Sequence, residues 1–229
     1  RILYFTQFFA PENIAAAFRA ADHSQLWCES GHDITVFTGW PNYPTGKLFA
    51  GYDMVKLGQE SMNGVRVFRS AAKNQNNSSF KKRIDTGLSF VINGLKNLGP
   101  RSQVGTDYDV VLVTCGTVFA AWLGVHYANK NKLPLVVEFR DLTYKQMIAT
   151  GAASSSAKVR AMKALELSFC KSAKRVVVLT EGFKDDLVAE GIDSSIISVV
   201  PNGADIVPCQ HSWGEHLRLG YFGTMGLSQ

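Results

Sequence analysis

Short apolar runs alternate along this 229-residue chain with longer segments of helical spacing. The runs are Ile2–Phe9, Asp33–Thr38, Val65–Arg69, Asp109–Thr114, Leu135–Phe139, Arg175–Thr180 and Ile196–Val200. Most are continuous Val, Ile and Leu, the pattern of strands covered on both faces in a parallel sheet. Val65–Arg69 alternates instead, which predicts an edge or hairpin strand. Helices are predicted over 15–29, 80–98, 157–171 and 181–190. The first is Ala-rich and ends near Gly31, a C-cap signal. The second carries Ile84, Leu88, Val91, Leu95 and Leu98 as one apolar stripe. Strand and helix in this order predict a doubly wound, mainly parallel, Rossmann-like α/β sheet.

Two stretches read as loops. Residues 39–53 mix Pro, Gly and aromatics, and 72–79 are rich in Asn and Ser. A third break covers 201–216, and one further strand-like run follows it, Leu217-Arg-Leu-Gly-Tyr-Phe222, then Gly223-Thr-Met-Gly226. The expected organisation is a Rossmann-like lobe over 1–203, a linker over 204–216, and the first strand and loop of a second lobe over 217–229.

Composition narrows the picture only a little. The chain is 46% apolar and 19% charged, ordinary for a globular protein. No apolar run reaches the roughly 18 residues of a membrane span. The chain opens directly on a strand-like run, so no export signal and a cytoplasmic location are expected. Cys28, Cys115, Cys170 and Cys209 have neither metal-ligand nor redox-motif spacing, and free thiols in a reducing compartment are expected. A net charge of +5 suits anionic partners. The first βα turn, Ala10-Pro-Glu-Asn-Ile-Ala-Ala-Ala17, contains no glycine, so the dinucleotide fingerprint fails where it belongs. Pro44-Thr-Gly-Lys47 lacks the first Gly and the final Ser/Thr of a P-loop. Neither H-E-x-x-H nor G-x-S-x-G occurs. These absences argue against dehydrogenase, NTPase, zinc-protease and α/β-hydrolase chemistry.

Ligands of open parallel sheets bind outside the carboxyl ends of the strands. The residues there are Pro11-Glu12-Asn13, Thr38 to Lys47, Cys115-Gly-Thr117, Arg140-Asp141, Thr180-Glu181-Gly182 and Pro201-Asn-Gly203. Charged, hydroxyl and glycine residues thus gather on one edge, which suits a polar ligand. The same residue types also cap helices and make turns.

The ordered motifs carry a resemblance. Ile2-Leu-Tyr-Phe…Phe9-Ala-Pro-Glu12…Arg19, Gly31 through Lys47, Val137-Glu-Phe-Arg-Asp-Leu142, Val178-Leu-Thr-Glu-Gly-Phe183, Val200-Pro-Asn-Gly-Ala-Asp205 and Tyr221-Phe-Gly-Thr-Met-Gly226 follow one another. In that order they resemble the family 4 retaining glycosyltransferases, in particular the subgroup that builds bacterial surface polysaccharides. The resemblance implies a GT-B fold, two Rossmann-like lobes facing a cleft, with this chain as the acceptor-binding lobe. It implies transfer from a nucleotide-sugar, as co-substrate rather than cofactor, to a lipid-linked or growing polysaccharide acceptor. No metal, no cofactor and no nucleic-acid partner are implied.

Carried over residue by residue, the resemblance places Asp141 beside the transferring sugar. Glu12, Asn13, Asn42, Tyr43, Thr45, Lys47 and Arg140 become candidate acceptor contacts. Thr180, Glu181, Gly223 and Gly226 become candidate donor contacts. Relatives often carry glycine in the first loop, where this chain has Asn13-Ile14-Ala15. Asp141 also suits the N-cap of a following helix, and Thr180 with Glu181 suits a cap and an acidic first turn. Over 80–101 the stripe is flanked by Lys81, Lys82, Arg83, Lys96 and Arg101. Such a helix fits an anionic membrane surface, or the sheet with its lysines in solvent. A sugar-nucleotide epimerase of the same fold and a non-catalytic acceptor-binding module remain alternatives.

Overall fold

The computed structural model describes residues 1–73, 80–99, 102–150, 157–203 and 220. The elements are β1 (Ile2–Phe5), α1 (Ala15–Glu29), β2 (Ile34–Gly39), β3 (Leu57–Met62), β4 (Val65–Ser70), α2 (Phe80–Asn97) and β5 (Val110–Thr114). After these come α3 (Val118–Asn131), β6 (Leu135–Glu138), α4 (Thr143–Ala149), α5 (Ala157–Ser172), β7 (Arg175–Val178), α6 (Glu181–Ala189) and β8 (Ile197–Val199). The strands form one sheet in the order β3-β4-β2-β1-β5-β6-β7-β8. Every pairing is parallel except β3 with β4. This is the expected doubly wound α/β lobe. The expected linker and the strand at 217–222 lie outside the described residues, apart from Gly220. Among the described residues no helix is long and apolar enough to cross a membrane.

Side chains alternate across each strand, so each face has its own core. Leu3 and Phe5 of β1 join Val111 and Val113 of β5 in the larger cluster, with Phe90 of α2, Leu123 of α3 and Phe169 of α5. Tyr4 points the other way and packs with Val36, Val67, Ala20 and Trp27 beneath α1. Buried on both faces, β1 sits near the middle of the sheet, and its continuous apolar run follows from that position.

Four elements differ from the sequence expectation. The first strand stops at Phe5 rather than Phe9: the Thr6 hydroxyl donates to the Phe8 carbonyl and turns the chain, while Phe9 goes into the smaller core. The run 65–69 is a hairpin strand, one of the two readings its alternation offers, but the edge belongs to the unexpected β3, whose Gln59, Glu60 and Ser61 hide its strand character. The turn is Asn63-Gly64, both at positive φ (49° and 82°), the signature of a two-residue hairpin. Helix α3 is apolar nearly all round because it is largely buried, so no amphipathic period marks it. Helix α4 is only seven residues long.

Of the stripe expected to pack α2, Leu98 is buried and Val91 half-buried, but Ile84, Leu88 and Leu95 are exposed at 36%, 50% and 39%, with Ile92 beside them at 53%. The contact face carries Phe90, Leu98 and two glycines. A Cβ on Gly87 would stand 2.1 Å from Phe119, and one on Gly94 would stand 2.3 Å from Leu123. The missing side chains let α2 press onto α3, and that approach turns the longer apolar residues outward.

The aromatic loop after β2 is pinned by two buried charges. Glu12 is 2% exposed; its Oε1 accepts the N–H groups of Asn42 and Tyr43 at 3.0 Å, and its Oε2 accepts that of Phe9 at 3.4 Å. Arg69 at the end of β4 is 1% exposed. It pairs with Glu60, donates to the Ala10 carbonyl and, at 3.1 Å, to the Gly39 carbonyl, and lies under the Tyr52 ring. Burial raises the Glu12 carboxyl above its ordinary value, opposed by the three N–H donors and by Arg69.

Two stability predictions follow from these contacts. Gly124 of α3 has no room for a side chain: a Cβ would sit 2.5 Å from Val113 and 2.8 Å from Phe5. Gly124→Ala is expected to lose about 1–3 kcal/mol in urea unfolding, despite a helix-propensity gain of about 1 kcal/mol. Glu12→Leu strands the loop donors and is expected to cost about 1–3 kcal/mol, with faster amide exchange at Asn42 and Tyr43. Glu12→Gln keeps the Oε1 acceptor and is expected to be milder. A carboxyl raised in the folded state contributes fully below its unfolded value and loses that contribution as pH rises through the folded value. Wild type should therefore lose ground to Glu12→Gln as pH rises from about 4.

Candidate active site

The carboxyl ends of β1, β2, β5, β6, β7 and β8 reach one edge of the sheet, and a chain of polar contacts ties several of them together. Tyr4 of β1 and Thr114 of β5 share a hydrogen bond of 2.7 Å. The Thr114 hydroxyl donates to Glu138 Oε2 at 2.6 Å, so Tyr4 is the donor to Thr114. Glu138 Oε1 pairs with Arg140 Nη2 at 2.6 Å. Arg140 Nη1 donates to Asn202 Oδ1 at 2.8 Å, beyond the end of β8. Burial and the nearby Glu138 charge hold the Tyr4 phenol well above its ordinary value, so it acts as a fixed donor.

Asp141 follows Arg140 and is exposed. It does not cap α4. The N-cap position is Leu142, without a side-chain cap, and the free N–H groups of Thr143 and Tyr144 donate at 2.9 and 3.2 Å to Glu166 of α5. Glu166 is 1% exposed, and burial raises its carboxyl while these N–H groups and the Thr143 hydroxyl lower it. The backbone on either side of Asp141 is thus held, by Arg140 before it and by Glu166 after it. Among the described residues no hydrogen bond or ion pair engages the Asp141 carboxylate.

The other sequence candidates fall into groups. Glu12, Asn42 and Tyr43 come together, but the Glu12 oxygens face the loop backbone. Asn42 donates from its side chain to the Trp40 carbonyl at 2.8 Å, and the Tyr43 ring meets Phe8 edge-on at 5.8 Å. Asn13 and Lys47 are exposed. Thr45 is exposed as well and accepts the Lys47 N–H at 3.2 Å. Thr180 caps α6 by accepting the Phe183 N–H at 3.2 Å, with Glu181 in the acidic first turn. Gly223 and Gly226 lie outside the described residues. Sequence reasoning passed over Arg69 and Glu166, and gave Arg19 no role. A lone charge in an apolar strand end or helix face was the signal available for each. Among the described residues no group of three or more His, Cys, Asp or Glu is placed to hold a metal ion.

Known structures share this architecture. Sucrose-phosphate synthase from Thermosynechococcus elongatus superposes with a TM-score of 0.58 at 12% identity, over 89% of this chain and 48% of that one. Anabaena HepE in complex with UDP-glucose gives 0.51 at 14% identity, over 89% and 44%. HepE with UDP and glucose gives 0.50 at 16% identity, over 89% and 44%. The chain therefore spans less than half the length of these proteins, and its sheet matches a lobe of the GT-B glycosyltransferase fold. At the level of sequence no curated protein matches it. The model of the glycosyl transferase 4-like domain matches residues 15–203, from the start of α1 to just past β8, and the chain belongs to that family.

Proposed function

We propose that this chain is the acceptor-side lobe of a retaining, family 4 hexosyltransferase that moves sugar from a nucleotide-sugar to a lipid-linked or growing polysaccharide acceptor. Family membership and the sugar-nucleotide complexes of HepE support the donor class. The observation that carries the site is Asp141: an uncommitted carboxylate at a strand end, on backbone held at both sides by buried groups. In such a reaction positive charge develops on the sugar ring, and a fixed carboxylate beside it stabilises that charge. Asn42, Tyr43, Thr45 and Lys47 would meet the acceptor, with Glu12 and Arg69 positioning their loop. Thr180 and Glu181 would face the donor, whose diphosphate would meet Gly223 and Gly226 in the first loop of a second lobe that starts at residue 217.

Helix α2 supports a membrane-proximal acceptor. Its exposed Ile84, Leu88, Ile92 and Leu95 lie on a helix with Lys81, Lys82 and Arg83 in its first turn and Lys96 in its last. An apolar stripe with basic flanks fits the surface of an anionic bilayer, as at the inner face of a cytoplasmic membrane.

Three measurements test this reading. Asp141→Asn is nearly isosteric and exposed, so folding should be unchanged while kcat of the enzyme, donor lobe included, falls about a hundredfold or more. Unchanged kcat would remove Asp141 from the chemistry, and isomerised rather than transferred sugar would favour an epimerase. The 229-residue chain alone is expected to turn over well below about 1 per second. Neutralising Lys81, Lys82 and Arg83 together should weaken binding to phosphatidylglycerol vesicles by about 3 kcal/mol at low salt, at roughly 1 kcal/mol per charge. Leu88→Gln with Ile92→Gln should weaken it at any salt. Co-sedimentation that ignores both sets of changes would place the acceptor elsewhere.

A further inference from the structure

Beside α1 runs a cavity of about 800 Å³, lined among others by Arg19, His23, Arg140 and Asn202. That volume suits a small polar ligand or one end of a larger one. Its donors are unevenly matched. Glu138 is the one carboxylate paired with Arg140, and its second oxygen is taken by Thr114. Arg19 has no hydrogen bond or ion pair among the described residues. The Nε atoms of both Arg19 and Arg140 are buried without a partner. Asp22 lines the cavity but stands exposed and bonds to neither arginine.

An arginine does not escape such a position by losing its proton. Arg19 is disfavoured as a cation chiefly by burial and then by repulsion from Arg140, with Glu138 and Asp141 as partial relief. His23 is held below its ordinary value, again mainly by burial, so the ring adds little positive charge of its own. Arg140 therefore has one carboxylate in contact and Arg19 has none, and each keeps a buried Nε–H directed at no acceptor. A buried N–H left unpaired is costly, and an anion in the cavity would answer both.

We propose that Arg19 and Arg140 form a phosphate-class anion site between α1 and the segment following β8, separate from the Asp141 carboxylate. Phosphate fits better than carboxylate because of geometry. One guanidinium fork satisfies both oxygens of a carboxylate, whereas a phosphate or diphosphate presents oxygens in several directions and can meet two forks at once. The site would hold a diphosphate end of a substrate. This identification of the ligand as a substrate rests on the transfer reading above; the anion site itself does not.

The test is calorimetric titration of the purified protein with pyrophosphate. Saturable binding is expected, weakened at least tenfold in Arg19→Met. Arg19→Lys, which keeps the charge and loses the fork, should fall between the two. Circular dichroism melting checks that the variants fold; should Arg19→Met fail to fold, Arg19→Lys alone decides, through any loss of affinity. Affinity indifferent to Arg19, or no saturable binding, overturns the site. Competition then identifies the source. Displacement of pyrophosphate by UDP assigns the site to the nucleotide-sugar, and displacement by geranyl diphosphate assigns it to a lipid-linked acceptor. Displacement by neither overturns the substrate assignment. Arg19-dependent binding in an enzyme that, donor lobe included, transfers no sugar would sink the transfer reading and leave the anion site standing.

Discussion

A charge removed from water has to find its partners inside the fold, and this lobe buries Glu12, Arg69, Glu138 and Glu166. Each is answered by groups from a different part of the chain. Glu12 and Arg69 hold the loop after β2, Glu138 joins β1, β5, β6 and, through Arg140, the segment after β8, and Glu166 secures the start of α4. None of these partnerships could be lost cheaply, because each would leave donors or acceptors buried and unpaired. The loop after β2, the start of α4 and Asn202 are therefore tied to the rest of the fold.

This explains how exposed and buried polar residues divide the work. The buried ones have no capacity left for a ligand; they set backbone geometry. Asp141, Asn13 and Lys47 stand in solvent on that framework. The pair Arg19 and Arg140 is the exception, half-buried with each Nε buried and unpaired. A fold that satisfies its other buried charges so thoroughly makes that mismatch informative, and it motivates an anion as the missing partner.

Packing of the helices follows an equally local rule. Gly87 and Gly94 leave no side chain between α2 and α3, and Gly124 leaves none between α3 and the sheet. Close approach at these points is what exposes Ile84, Leu88, Ile92 and Leu95. Helical spacing marks the apolar stripe but leaves open whether the sheet or a membrane surface covers it, since either can cover an apolar face. The two glycines decide it, because at them the helices can come close.

The sequence by itself determined the fold class, the strand ends that form the ligand edge, and the family motifs, because these depend on local runs and their order. It located Asp141, Arg140 and the 39–53 loop for the same reason. Strand β3 escaped notice because its polar residues suit an edge, although Asn63-Gly64 announced the turn. Helix α3 escaped because burial on all sides erases periodicity. Which groups each polar residue meets was decided only by the tertiary structure. Glu12 reaches Asn42 and Tyr43 some 30 residues away, Thr114 reaches Glu138, and Glu166 rather than Asp141 serves the start of α4. Hydrogen bonds across such separations follow from how strands order themselves in the sheet, and no pattern along the chain encodes them locally.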